Sequence, residues 1–159
     1  MAYNRLSEVL WHERNLLELL LFKLEEEQLL LTSGKTRWLA HATREVETVL
    51  SQIRDAELGR AVEAATVSAE LGLPEGVSLA DLADHAPEPW SDLLRAHREA
   101  FASLTTQISQ LADGNRELLA MSHRATQETL ASLHDVHTYD GTGQSAATEP
   151  AARLVDRTL

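Results

Sequence analysis

The sequence predicts an all-α fold: an elongated antiparallel helical hairpin plus a long third helix, packed as a coiled-coil-like three-helix bundle, with a disordered C-terminal tail. Three observations predict it. Leu and Ala account for 28 and 22 of the 159 residues, whereas only seven residues are aromatic. Leu and Ala are strong helix formers, and strands select β-branched and aromatic residues instead. Apolar residues recur at spacings of three and four through most of the chain, which is the period of a helix face. The four prolines lie in one connector and in the tail, so none interrupts a helix interior.

The first helix is expected over about residues 4–32. Its seam reads Leu6, Leu10, Leu17, Leu20, Leu24 and Leu31, with Glu13 and Glu27 at the two positions where a heptad would place another apolar residue. Val9, Leu16, Leu19, Leu21, Phe22, Leu29 and Leu30 widen the stripe, so this helix needs more than one neighbour. Either the last helix or a second copy of the chain supplies that cover, which leaves a homo-oligomer open. Gly34 is placed to end the helix in the left-handed conformation, and Thr36 to cap the next one. The short connection makes the two helices antiparallel neighbours.

The second helix is expected over 36–71, with Leu39, Ala42, Val46, Val49, Ile53 and Ala56 as its seam. Beyond Gly59 it continues in small residues, Ala61, Ala64, Ala65 and Ala69, which bury less area and predict a less firmly held end. Residues 72–89 carry Gly72, Pro74, Gly76, Pro87 and Pro89 and read as a connector. Within it, 78–85 reads as a short helix capped by Ser78 with Asp81 at the third helical position.

The last helix is expected over 88–137, with Pro89 in its first turn and a seam of Trp90, Leu94, His97, Phe101, Leu104, Ile108 and Leu111. Gly114 and Asn115 interrupt the seam. An interior Gly costs only about 1 kcal/mol, and no Pro follows, so a continuous or slightly bent helix is favoured over two helices meeting there. The whole of 1–137 reads as a single helical bundle domain. Residues 138–159 lose the periodicity and read as a flexible tail.

Chemistry finds little support in the residues. There is no Cys, hence no disulfide and no thiolate chemistry. A net charge of −11 argues against nucleic acid and against an anionic membrane surface. No apolar stretch is long enough to span a bilayer, no signal peptide is evident, and a cytoplasmic location is expected. Ser33-Gly34-Lys35-Thr36 ends like a phosphate-binding loop but lacks its upstream Gly. His134 and His137, with His123 before them, read as exposed polar residues rather than metal ligands, and Glu25-Glu26-Glu27 as a solvated face. Trp11, Trp38 and Trp90 read as packing residues, the first two partly buried. No cofactor, metal or catalytic residue is assigned.

The layout and several segments resemble the FlgN family of flagellar export chaperones. Leu24-Glu25-Glu26-Glu27-Gln28-Leu29 followed by Gly34 and Leu39 is similar to that family's first helix, turn and second helix. So is the segment from Val49-Leu50 to Arg60. Asn115-Arg116-Glu117-Leu118-Leu119 with Leu130 and Leu133 resembles the Asn-x-x-Leu-Leu pattern of its final helix, and Tyr139-Asp140-Gly141-Thr142-Gly143 its exit. Asp140 and the Ala/Arg-rich middle depart from the pattern. The resemblance implies a cytoplasmic chaperone of type III export. Such a chaperone binds the C-terminal segments of hook–filament junction proteins (FlgK- and FlgL-like), keeps them unassembled and delivers them to the export gate, with gate or ATPase components as further partners. The competing reading is a structural coiled-coil or adaptor protein of another secretion or assembly system. The expected partner-binding residues are Asn115, Leu118, Leu119, Met121, Ser122, Ala125, Leu130, Leu133 and Tyr139, because polar interruptions weaken the seam there and leave apolar surface for a partner helix.

Overall fold

The computed structural model describes residues 1–139, with side chains to residue 135. Of the expected tail, 138–159, the first two residues continue α4 as helix, and the rest lies outside the described residues. All regular structure among them is helical: α1 (Ala2–Ser33), a 3-10 turn (Thr36–Trp38), α2 (Leu39–Glu70), α3 (Leu79–His85) and α4 (Trp90–Tyr139). The all-α class read from the sequence is what the structure shows. The chain divides into two compact units, residues 1–118 and 119–159, and α4 contributes to both.

In the first unit, pairings fix the directions of the helices. Arg5 meets Glu63, Arg60 meets Glu13, and Lys23 meets Glu45, so α2 runs antiparallel to α1. Tyr3 stacks on Trp90, Trp11 meets His97, and Asn115 meets Leu24, so α4 runs parallel to α1. Gly34 closes α1 at φ 71°, in the left-handed region that favours glycine. The expected Thr36 cap does not form. Thr36 opens the 3-10 turn instead, and α2 begins three residues later without a side-chain cap.

Two apolar cores follow one another along α1. The first joins Ala2, Leu6 and Leu10 to Val67 of α2, Leu82 and Ala83 of α3, and Leu94 of α4. The second joins Leu16, Leu20 and Leu24 to Val46, Val49, Ile53 and Ala56, with Ile108 and Leu111 of α4 packed against it. The Ala-rich end of α2, expected to be loosely held, is covered: Val67 and Ser68 are buried because α3 lies over them. The capping box that builds α3 forms as read, with Ser78 Oγ accepting from Asp81 N–H and Asp81 accepting from Ser78 N–H.

Three details of the seams differ from expectation. Leu16, not Leu17, is the buried member of its pair, since about 100° per residue rotates Leu17 toward the edge. Glu27 is buried rather than solvated and Glu26 half-buried; only Glu25 of that acidic run is exposed. Trp11 and Trp38 are exposed rather than partly buried, at 45% and 53%. Trp38 sits in the 3-10 turn, before the packed face of α2 begins, with the Arg37 guanidinium 4.8 Å over its ring. Trp11 lies one step round α1 from Leu10 and meets His97 edge-on at 4.9 Å.

Candidate partner-binding site

Two polar nodes bracket the second core. At one end, Arg60 forms an ion pair with Glu13 at 3.1 Å, and the Glu13 side chain is almost wholly buried. His97 of α4 lies at the same level of α1, against Trp11 and Phe101, with both ring nitrogens buried and without a hydrogen-bond partner. At the other end, Asn115 Nδ2 donates to Leu24 O at 2.9 Å and to Glu27 Oε1 at 3.2 Å, and Thr43 Oγ1 donates to Glu27 Oε2 at 3.2 Å. Glu13 and Glu27 are the two carboxylates that occupy heptad positions in the sequence, and both are turned inward.

These groups give the fold opposing responses to pH. Burial, and secondarily the charge of Arg14, hold the His97 imidazole below its ordinary value. The unfolded chain takes up that proton near pH ~6.5, while the fold refuses it until lower pH, so stability falls as pH drops below about 7. Burial pushes the Glu13 carboxyl up from 4.5 against the opposing charge of Arg60, with Glu57 adding to the rise. This group has the reverse sign: its stabilisation is present in acid and is lost as pH rises through the raised value. His97→Leu is expected to flatten the acid response, its urea midpoint falling less between pH 7 and pH 5 than that of the native chain. Equal falls in both proteins would place the sensitivity on another group.

The nine residues expected to bind a partner do not form one surface. Asn115 is 1% exposed and its amide faces α1, not an open groove, because the carboxylate of Glu27 and the carbonyl of Leu24 both need a donor there. Leu118, Leu119 and Leu130 are half-buried, and Met121, Ser122, Ala125 and Leu133 are exposed. Tyr139 is the last residue of α4, and its side chain lies outside the described residues.

At about 100° per residue, Leu119, Ser122, Leu130 and Leu133 fall on one stripe of α4, which continues the period of the seam in its first half. Leu118, Met121 and Ala125 lie to one side, and Met121 is opposite Leu130. Thr126 belongs to the stripe, although it is not among the residues expected from the sequence; its three-and-four spacing from Leu119, Ser122 and Leu130 is the signal that finds it. The Thr126 hydroxyl donates to Ser122 O at 3.0 Å, and that of Thr129 to Ala125 O at 2.9 Å. Those donors are spent within the helix, which leaves Thr126 to present its methyl group beside the leucines. None of residues 119–135 is buried. The stripe is amphipathic and, among the described residues, has no core to pack into.

Two concave surfaces lie elsewhere among the described residues. A cavity of about 420 Å³ is lined by Leu6, Ala64, Ser68 and Leu82, with Arg60 and Glu75 also on its wall. A shallow groove of about 510 Å³ at the α1–α2 turn is lined mainly by Leu29, Leu30, Trp38 and Ala42. Among the described residues, no three His, Asp or Glu side chains are grouped to hold a metal ion, and no helix is long and apolar enough to cross a membrane.

A family model described as FlgN protein matches residues 1–147 of the chain. No curated protein and no solved structure matches it.

Proposed function

Because the chain belongs to the FlgN family, a family of flagellar export chaperones, we propose that it binds the C-terminal segments of hook–filament junction proteins in the cytoplasm through the α4 stripe of Leu119, Ser122, Thr126, Leu130 and Leu133. The observation that carries this reading is a helical apolar stripe over 119–135 in which no residue is buried. A soluble protein leaves such a stripe uncovered where a partner is to cover it. The partner that fits is another amphipathic helix, whose anchors at three- and four-residue spacing meet leucines of the same period. Covering the client's own assembly helix in this way keeps it from polymerising until the chaperone–client complex reaches the export gate. The acidic character of the chain, at net charge −11, holds the complex in solution while this surface is exposed.

The test is co-purification of junction-protein C-terminal segments with full-length variants. Leu119→Ala, Leu130→Ala and Leu133→Ala together are expected to weaken capture at least tenfold, about 1.4 kcal/mol, with the melting temperature unchanged. Met121→Ala, on the opposite face from Leu130, is the control and is expected to bind as the native chain does. Undiminished capture by the triple variant would remove the stripe as the client site.

A further inference from the structure

The first unit grips α4 unevenly along its length. The start of the helix is well anchored: Ser91 Oγ donates to Ala83 O at 2.7 Å, and Leu94 is buried in the first core. Between Leu104 and residue 118 the only buried residue is Asn115; Ile108, Leu111 and Ala112 are only half-covered. By contrast, α2 buries Ala42, Val46, Val49, Ile53 and Ala56 in sequence against α1. The later part of α4 in this unit is thus held by half-covered apolar contacts and by one fully buried side chain, the polar Asn115.

That polar anchor is incompletely satisfied. Asn115 Oδ1 is buried without a hydrogen-bond partner. Glu27, the acceptor of Asn115 Nδ2, is bonded by two neutral donors, and among the described residues no Lys, Arg or His forms an ion pair with it. A desolvated carboxylate without a counter-charge and an orphaned carbonyl are both costly, and both costs are relieved when water enters. Opening the contact therefore loses two hydrogen bonds but rehydrates two badly placed groups. The residue before it, Gly114, has no steric reason to be glycine. A Cβ built there meets nothing within 4 Å, and its φ is not positive. Glycine at an interior helical position nonetheless weakens the local helix about fivefold relative to alanine.

We propose that Gly114 and Asn115 form a release point in α4, at which residues 114–118 come off α1 while residues 90–104 stay packed. Release uncovers Leu24, Glu27 and Thr43 and frees Leu118. The device is independent of which client the chaperone carries, and it deepens the family assignment by giving the bundle a defined local opening instead of uniform fraying.

Hydrogen exchange on the full-length chain, read by mass spectrometry under native conditions, tests this. Peptides covering 112–118 are expected to exchange at least about 100-fold faster than those covering 16–24 and 46–56. Gly114→Ala is expected to slow the 112–118 peptides about fivefold and leave the others unchanged. Asn115→Ala is expected to speed them at least about tenfold. Exchange of 112–118 at the rate of the cores would overturn the release point. So would fast exchange that Gly114→Ala does not slow, because the break would then lie elsewhere. If Asn115→Ala loosens the whole bundle, the native and Gly114→Ala measurements decide alone.

Discussion

Arg60→Met is expected to lower the unfolding free energy by about 3 kcal/mol at pH 7.5. Arg60 is the cation that answers the buried Glu13 carboxylate, at 3.1 Å. Its removal leaves the carboxylate desolvated and alone, for which buried pairs typically lose about 3–5 kcal/mol. The lower end applies because the Arg60 side chain is 38% exposed, so water already screens part of the interaction. The pH dependence separates this cause from simple loss of packing. The Glu13 carboxyl already sits above 4.5 through burial, and Arg60 is the group that opposes the rise. Without Arg60 the rise is larger, so acid, by protonating the carboxyl, recovers stability in the variant. The deficit at pH 5 is therefore expected to be smaller than at pH 7.5. The double variant Glu13→Leu with Arg60→Met is expected to return close to the native value, since apolar replacement of both partners removes the desolvation cost together with the attraction. Urea unfolding of the three proteins at both pH values supplies the comparison. An Arg60→Met deficit that does not change with pH would mean that the stem of Arg60, not its charge, was what mattered.

Leu10→Ala is the second large effect. Leu10 is fully buried in the first core, among Leu6, Val67, Leu82, Ala83 and Leu94, where four helices meet. Truncating such a leucine costs about 2–5 kcal/mol, the lost transfer energy plus the cavity left behind. In a chain of this size each kcal/mol is worth about 2–4 °C, so a fall of roughly 4–20 °C in melting temperature is expected. The site is poorly able to collapse, because α3 is held over it by the Ser91–Ala83 hydrogen bond. A loss below about 1 kcal/mol would show that α3 settles into the gap, and that the first core is more plastic than its burial implies.

Much of this architecture was legible in the chain itself. The packed face of α2 up to Ala56 and most of that of the first half of α4 were legible, because apolar residues at three-and-four spacing leave a helix little choice of buried face; the burial of Val67, Ser68 and Ser91 was not. Gly34 and the Ser78–Asp81 box announced themselves through local chemistry. Glu13 and Glu27 were visible as carboxylates at heptad positions. Their partners were not, because Asn115 lies 88 residues from Glu27 and no local signal joins them. The cover that α3 gives the Ala-rich end of α2 was hidden for the same reason: the short helix was legible, but its docking surface is a tertiary fact. Trp11 and Trp38 show the limit of residue type as a guide, since one step round α1 and three residues of 3-10 turn sufficed to expose them. Within the candidate site, the expected residues were neighbours in sequence. Helical geometry divides them, setting Met121 opposite Leu130 and bringing in Thr126.

The most direct measurement is a hydrogen-exchange footprint of the full-length chain with and without the C-terminal segment of a hook–filament junction protein. Binding is expected to protect peptides covering 119–135, with no gain in those covering the α1–α2 turn, where Leu29 and Trp38 line an exposed groove. Protection at that turn with 119–135 unchanged would contradict this and move the client site to the α1–α2 turn.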